Sequence, residues 1–302
     1  MAVNAKMDAS LLVEELVARQ RTHPATDGFS PAAKIGELSL HIGSAATFED
    51  TAYLAQHGIS AAVSLGTGNI APQSFDVHTV DILDMEHELI IVHFQACLDF
   101  LRKHVLENKR GVLVHCVYGQ SRSATICVAF LMATQQMSLQ AAFDAVQHAR
   151  PCIYINPGFL RQLQLFERMG CNADLLGNTP AHAVCRTLVV TKQRTDHGSA
   201  EFFDLPVDPT QPSLHCRKCS MLLCTAPSEL IHGKQLPNGR SVCEFVHLEP
   251  LQWMAATAPS LMFSSQGKLL CPRPACKAKL GSWHWHGIKY AFNQYISTSA
   301  FY

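Results

Sequence analysis

The chain has 302 residues, is 48% hydrophobic and carries a formal net charge of zero. That is enough apolar content for a full core and, at about 100–200 residues per domain, enough length for two domains. Zero net charge gives no bulk electrostatic reason for wholesale attraction to nucleic acid or a membrane surface, leaving only a local basic face open, and no apolar run approaches the roughly 20 residues needed to cross a bilayer.

In chain order, "MAVNAKMDASLLVEELVARQ" has an apolar stretch interrupted by Glu14 and Glu15, which argues against a secretory or mitochondrial presequence. It reads as a short surface helix within an N-terminal extension, residues 1–30. From 31 to 172, "LSLHIG", "ISAAVSLG", "VHTVDIL" and "GVLVHC" are strand-like and alternate with helical patterns. That alternation predicts an α/β domain with a central, mostly parallel sheet flanked by helices. "ELIIVHFQACLDFLRKHVLENKRG" predicts a helix stopped by glycine, and "SATICVAFLMATQQ", apolar nearly all round, a buried one. "MSLQAAFDAVQHARP", with Ser138 as N-cap, and "NPGFLRQLQLFERMG" complete the domain. Residues 173–212, with three prolines and two aspartates in "DLPVDPTQPS", read as a linker. Residues 213–302, rich in Cys, His, Gly and Pro, suit a small Cys/His-rich domain stapled by metal.

Twelve cysteines could pair as disulfides in a secreted chain, but the absence of an export signal points to an intracellular protein, expected in cytoplasm and nucleus. Cys97, Cys127, Cys152, Cys171 and Cys185 lack ligand spacing and read as small packing residues. Cys216, Cys219, Cys224, Cys243, Cys271 and Cys276 crowd the last third, where clustering suggests metal. Cys216-x-x-Cys219 is a knuckle that needs two more ligands, for which His232 and Cys243 are candidates, with Cys224 and His247 in reserve. Cys271 and Cys276 form another pair, which His284 and His286 could complete because alternate strand residues share a face. The alternative is that both histidines sit on a strand surface beside Trp283 and Trp285. The aromatic, basic stretch "SWHWHGIKYAFNQY" suits either RNA or ribosomal-protein contact or the core of a small domain, and the core reading is preferred. Direct nucleic-acid binding therefore has no strong support.

The chemistry concentrates in "VLVHCVYGQSRSA". A loop between a strand and a helix N-terminus turns successive N–H groups inward, where with the helix dipole they bind a dianion such as phosphate. The same positive potential favours the thiolate of Cys116, a nucleophile at the base of the loop. Arg122 can hold two phosphoryl oxygens with its planar fork. Gly119 permits the tight curve, Val117, Tyr118, Gly119, Gln120 and Ser121 supply the loop, and His115 and Ser123 can steady it and share hydrogen bonds with the sulfur. Phosphoryl transfer to cysteine and then water needs a proton donor on a separate loop, and "VDILDMEHELIIVHF" offers Asp81, Asp84, Glu86 and Glu88.

Together with "IGELSLHIGSAATFED", "ISAAVSLG" and "ARPCIYINPGFLRQL", this block resembles the dual-specificity, cysteine-dependent protein phosphatases over some 140 residues. The resemblance selects Asp84 as general acid, counted back from Phe94, and implies a shallow pocket for phosphotyrosine, phosphoserine and phosphothreonine in protein substrates, with no catalytic cofactor. Tyr118-Gly119-Gln120 stands where many relatives have Ala-Gly-Val; Tyr118 either narrows the pocket or faces the surface, and Gln120 can add a donor. "HCRKC", "EPLQWM", "KLLCP" and "KAKLGSWHWHG" resemble the two-zinc tail of one branch of the family. This matches Cys216, Cys219, His232 and Cys243 to one structural Zn²⁺ and leaves Cys271 and Cys276 for a second site that is lost or rebuilt. Members of that branch are implicated in maturation of the large ribosomal subunit, so pre-ribosomal particles are a second expected partner. A lipid or nucleic-acid 5′-phosphatase would want several basic residues around the loop, and only Arg122 is there.

Overall fold

Residues 9–21, 31–66, 71–203, 205, 210–225, 228, 230, 246–285 and 300–301 are described by a computed structural model. The chain divides into two compact units, Met1–Ala173 and Asp174–Tyr302.

The first unit is built on a five-stranded sheet of β1 (Ala33–Lys34), β2 (Leu40–Ser44), β3 (Ile59–Leu65), β4 (Asp76–Val80) and β5 (Gly111–Cys116), in the order β1-β2-β5-β3-β4. β1 runs antiparallel to β2, and the other pairings are parallel. β2 and β5 are buried at every position, which is why their sequences are near-continuous apolar runs rather than alternating ones. The helices are α1 (Ala9–Arg21), α2 (Thr51–Gln56), α3 (Phe94–Leu101), α4 (Arg122–Gln135), α5 (Leu139–Ala149) and α6 (Pro157–Arg168). α4, buried from Arg122 to Met132, packs on β2, β3 and β5 and is surrounded by α3, α5 and α6. On the other side of the sheet Leu54 of α2 joins Ile59, Ala62 and Leu113. This is the mostly parallel, helix-flanked sheet expected from the sequence.

The long helix expected before β5 is divided. It starts as a 3₁₀ turn at Ile90–His93, runs as α3, and widens to a π turn at Arg102–Glu107. Ser138 caps α5 as expected, its side chain accepting from the Ala141 N–H.

Two boundaries read from the sequence need correction. α1 is no detached surface helix. Its Leu16 is fully buried, and the Gln20 amide braces Ile155 by donating to its carbonyl (3.0 Å) and accepting from its N–H (2.6 Å). The stretch 173–212 is no plain linker either, because it contains the 18-residue α7 (Pro180–His197). Alternation of Ala, Val and Thr with charged residues hides that helix from a composition scan, yet its buried Val190 lies in the second unit's core.

In the second unit β6 (Ser213–His215) pairs with β7 (Leu222–Thr225), α8 spans Gln252–Thr257, and β8 (Gln266–Leu270), β9 (Lys279–His284) and β10 (Ala300–Phe301) form a three-stranded sheet. Its core gathers Leu248, Leu251, Met254, Leu261, Leu269, Trp283 and Trp285 around Val190. Arg186 of α7 is buried in a bidentate pair with Glu249 (2.5 and 2.8 Å), and its remaining nitrogen donates to the Leu175 and Gly177 carbonyls. Satisfied this way the buried charges hold the helix to its unit. Trp285 donates to the Leu261 carbonyl at 2.7 Å, so for Trp283 and Trp285 the core reading is the right one. No helix among the described residues is long and apolar enough to cross a membrane.

Candidate active site and metal centre

Four parallel strands end at one place. Cys116 closes β5, Gly43 and Ser44 close β2, Gly66 follows β3, and Ile82 and Asp84 follow β4. The crevice beyond the carboxyl ends of such strands is where this kind of sheet places its ligands.

The loop from Cys116 to Arg122 is held from outside by its carbonyls. Val117 O accepts from Ala45 N–H (3.2 Å) and Gln120 O from Tyr154 N–H (3.0 Å). The buried guanidinium of Arg150 donates to Gly119 O (2.9 Å) and Tyr118 O (3.3 Å) and reaches Pro31 O. Ser121 O accepts from both the N–H and the hydroxyl of Thr125. With the carbonyls anchored outward, the N–H groups of Val117–Arg122 donate to no protein acceptor among the described residues. They form, with the first turn of α4, a ring of donors for an anion. Gly119 has φ +68°, and a Cβ there would lie 2.4 Å from the Gly43 carbonyl, so only glycine fits that left-handed, crowded position.

Cys116 is buried at the base of this ring, its sulfur 3.4 Å from the Ser123 hydroxyl. Arg122 donates from Nη1 to Ile82 O (3.0 Å), while its buried Nε has no hydrogen-bond partner and stands 3.7 Å from Asp84 Oδ2. Asp84 Oδ1 accepts from the Ser121 hydroxyl (2.8 Å) and from Asn156 Nδ2 (2.6 Å), and the Asn156 N–H donates to the same hydroxyl (3.1 Å). Oδ1 is thereby occupied, leaving Oδ2 as the oxygen that can carry a proton.

Of the four acidic candidates, Asp84 alone among these contacts reaches the loop. Glu86 pairs with Arg161 on the surface, and Asp81 points to solvent. Tyr118 is 60% exposed, so it faces outward and does not narrow the base of the pocket. His115 does not share a hydrogen bond with the sulfur. Its ring lies edge-on to Phe48 with neither nitrogen hydrogen-bonded, and burial lowers its pKa to about 4, offset in part by the nearby Cys116 backbone.

His41, also buried, is held to about 4 by burial and then by His57 and Lys34. Both rings stay neutral in the fold down to about that pH, while in the unfolded chain they take a proton below the ordinary 6.5. Stability is therefore expected to be full above about pH 6.5 and to fall as pH drops towards 4, read as a declining thermal midpoint from pH 7.5 to 4.5.

Arg150 and Asn156 escaped sequence reasoning. Each sits beside a proline at a helix boundary, and such residues look like punctuation. Asn156 does cap α6, accepting from the Phe159 N–H, but its other amide atom holds the acid. Asn156→Ala is expected to cut kcat about tenfold on alkyl phosphates, whose leaving oxygen needs a proton, and much less on 4-nitrophenyl phosphate. Asn156→Ser, which keeps a cap without the reach to Asp84, should show the same leaving-group dependence.

In the second unit four sulfurs converge. Cys216, Cys219, Cys271 and Cys276 lie within 4.8 Å of one another, with Cys216–Cys276 at 3.8 Å and Cys219–Cys271 at 3.6 Å. Two knuckles of one design bring them there. Cys216 N–H donates to Met221 O and Cys271 N–H to Ala278 O, and each second cysteine is followed by a left-handed residue, Ser220 or Lys277. Arg273 ties the knuckles by donating to Cys219 O at 3.1 Å. Burial resists ionisation of Cys216, but hydrogen bonds from the Cys219 and Lys218 N–H groups and from the Cys219 and Cys271 thiols together bring it down to about 7. Burial, reinforced by the neighbouring sulfurs, pushes Cys271 up to about 12. Four such sulfurs ionise together only around a cation.

This corrects the expected grouping of the cysteines. Among the described residues Cys271 and Cys276 gather with Cys216 and Cys219 rather than with His284, a partly exposed residue at the end of β9 outside the cluster. The extra residues in Cys271-x4-Cys276 are absorbed by a turn in which Cys276 N–H donates to Arg273 O. His232, Cys243 and His286 lie outside the described residues. Burial pushes Cys97 and Cys185 up to about 12, as befits inert packing thiols, and Cys127 is raised for the same reason.

Phosphoryl transfer to sulfur is the chemistry that the first unit's geometry permits, which makes it a cysteine-dependent phosphatase. Residues 40–169 match the family described as "Dual specificity phosphatase, catalytic domain". The chain is 30% identical to "Dual specificity protein phosphatase 12" of Rattus norvegicus, over 92% of this chain and 89% of that one. It is also 30% identical to the Homo sapiens protein of that name, over 91% and 88%. To "Tyrosine-protein phosphatase yvh1" of Schizosaccharomyces pombe it is 26% identical, over 87% and 81%. The chain belongs to the dual specificity protein phosphatases, with phosphatase 12 among its full-length relatives.

Proposed function

We propose that this phosphatase hydrolyses phosphotyrosine, phosphoserine and phosphothreonine in proteins through a cysteinyl-phosphate intermediate, with Cys116 as nucleophile, Arg122 as phosphoryl clamp and Asp84 as acid and then base. One observation carries it: a buried sulfur under a ring of uncommitted amides, with an arginine Nε and a carboxylate oxygen facing each other across the mouth. The thiolate attacks phosphorus as the bond to the leaving oxygen breaks, and that oxygen takes its proton from Asp84. Water then attacks phosphorus, gives its proton to Asp84, and the sulfur–phosphorus bond breaks to restore the thiolate. The Ser123 hydroxyl, 3.4 Å from the sulfur, can stabilise that leaving thiolate with a hydrogen bond. With 4-nitrophenyl phosphate, whose leaving oxygen needs no proton, Asp84→Asn is expected to slow only the second half and so trap the adduct, located by rapid quench and mass spectrometry. A phosphate found on any peptide other than the one holding Cys116 overturns the assignment.

The four-sulfur cluster suits a structural Zn²⁺. Sulfurs placed tetrahedrally at about 2.3 Å from the ion are about 3.8 Å apart, against 3.6 and 3.8 Å here. The ion would link the two knuckles and leave no position for water, and the cysteine chemistry draws nothing from it. A second role, in maturation of the large ribosomal subunit in cytoplasm and nucleus, is proposed from the likeness to phosphatase 12 over about nine tenths of the chain, with the tail, a unit with its own core, as the part that would carry it. Under that reading Cys116→Ser retains association with pre-ribosomal particles and Cys216→Ser with Cys219→Ser loses it. The opposite pattern removes it.

A further inference from the structure

The rim of the phosphate pocket is apolar. Tyr118 is 60% exposed, and Leu83, Met85, Val117 and Tyr154 are each exposed by 38% to 51%. All five belong to the segments that frame the mouth. Val117 and Tyr118 follow the nucleophile directly; Leu83 and Met85 flank Asp84, whose carboxylate touches Ser121 of the loop; Tyr154 holds the Gln120 carbonyl by its N–H. Large side chains left in water at one spot mark a contact surface rather than random scatter.

What charge the same rim carries is acidic or already neutralised. Asp81 and Glu86 lie on the acid loop, and Arg161, the first arginine of α6, is paired with Glu86. Arg150 is buried and spent on loop carbonyls, and Arg122 belongs to the pocket itself. A second phosphate, or an aspartate beside the phosphorylated residue, would find no free cation among these groups and would meet carboxylates of its own sign. Apolar neighbours would bury surface against Leu83, Met85, Val117, Tyr118 and Tyr154.

Building on the phosphatase reading, we infer that the preferred substrate is a phosphopeptide segment with aliphatic or aromatic residues immediately beside the phosphorylated one, and that doubly phosphorylated or acid-flanked segments are disfavoured. The occupant is fixed by the position of the surface, since whatever enters the pocket must lie across this rim.

The test uses the full chain and a set of phosphotyrosine peptides differing only in the two flanking residues: leucine or phenylalanine, alanine, aspartate, or a neighbouring phosphothreonine. 4-Nitrophenyl phosphate probes the pocket without the rim, and vesicles containing a phosphoinositide probe a lipid source of the same group. Apolar flanks are expected to exceed alanine about tenfold in kcat/KM, mainly through KM, with acidic flanks below alanine. The double variant Leu83→Asn, Met85→Asn should reduce the apolar advantage to about twofold while turnover of 4-nitrophenyl phosphate stays as it was. Equal rates across the peptides, a preference for acidic flanks, or faster turnover of the phosphoinositide than of any peptide overturns the inference. Failure to hydrolyse 4-nitrophenyl phosphate at all would remove the phosphatase reading beneath it, and the inference with it.

Discussion

Replacing Cys116 with serine is expected to lower kcat on an aryl phosphate by at least about 10⁴-fold while inorganic phosphate still binds. The two outcomes separate because different atoms are responsible. Attack needs an ionised, polarisable sulfur at the bottom of the loop, and a serine hydroxyl there has no base in reach, its nearest partner being another hydroxyl, Ser123. Anion binding needs the inward amides of Val117–Arg122 and the Arg122 guanidinium. The contacts that orient them, from Arg150, Ala45, Tyr154 and Thr125, do not involve the sulfur. Kinetics with 4-nitrophenyl phosphate and calorimetric titration with phosphate read the two separately. Residual turnover above about one part in a hundred would place the nucleophile elsewhere, since no general-base effect of that size is available to a lone serine.

Loss of the ion proposed for the four sulfurs is the second large expected effect, and the arrangement of the sulfurs gives it a distinctive form. Cys219→Ser and Cys276→Ser, 57 positions apart in the chain, are each expected to release the same single ion, because their sulfurs belong to one cluster. A structural site of this kind contributes about 10–16 kcal/mol in isolated zinc-binding peptides. The tail's apolar core recovers only part of such a loss, so each variant should melt the second unit well below the intact protein. The three tryptophans of the chain, Trp253, Trp283 and Trp285, all lie in that unit, so intrinsic fluorescence reports on the tail alone. Turnover of an aryl phosphate reports on the other unit and should change by no more than about twofold, as the sulfur chemistry uses no metal. If Cys276→Ser left the ion bound to Cys216 and Cys219, the single four-sulfur site would be wrong and the division suggested by spacing would return.

The two substitutions also mark where linear reading succeeds and fails. Cys116 and Arg122 are legible because everything they need is local: a strand, one turn and a helix start, all within one stretch of chain. Asp84 is half legible. Its neighbourhood supplies four carboxylates, and what distinguishes them is contact with Ser121 and Asn156, which lie 37 and 72 positions away. Asn156 and Gln20 carry no signature because an amide is chemically ordinary until its partners are known. Gln20 earns its place only by clasping the backbone of Ile155, next to Asn156. The stretch read as a linker misled for a related reason: α7 buries a face whose main partners, Glu249, Trp285 and the buried residues of the second unit's core, lie far from it in sequence.

By itself the amino-acid order determined the alternating strands and helices, the anion loop with its cysteine and arginine, and the presence of a cysteine-rich tail. Hydrophobic period, capping and turn chemistry act over a few residues and are written in the chain directly. Only the tertiary structure decided what holds Asp84, the carboxylate that the family resemblance singles out, against the loop, which guanidinium fastens the loop carbonyls, and that Cys271 and Cys276 share one cluster with Cys216 and Cys219. Those are pairings between distant segments, chosen by how the whole core packs, and spacing along a strand of residues holds no measure of distance across it.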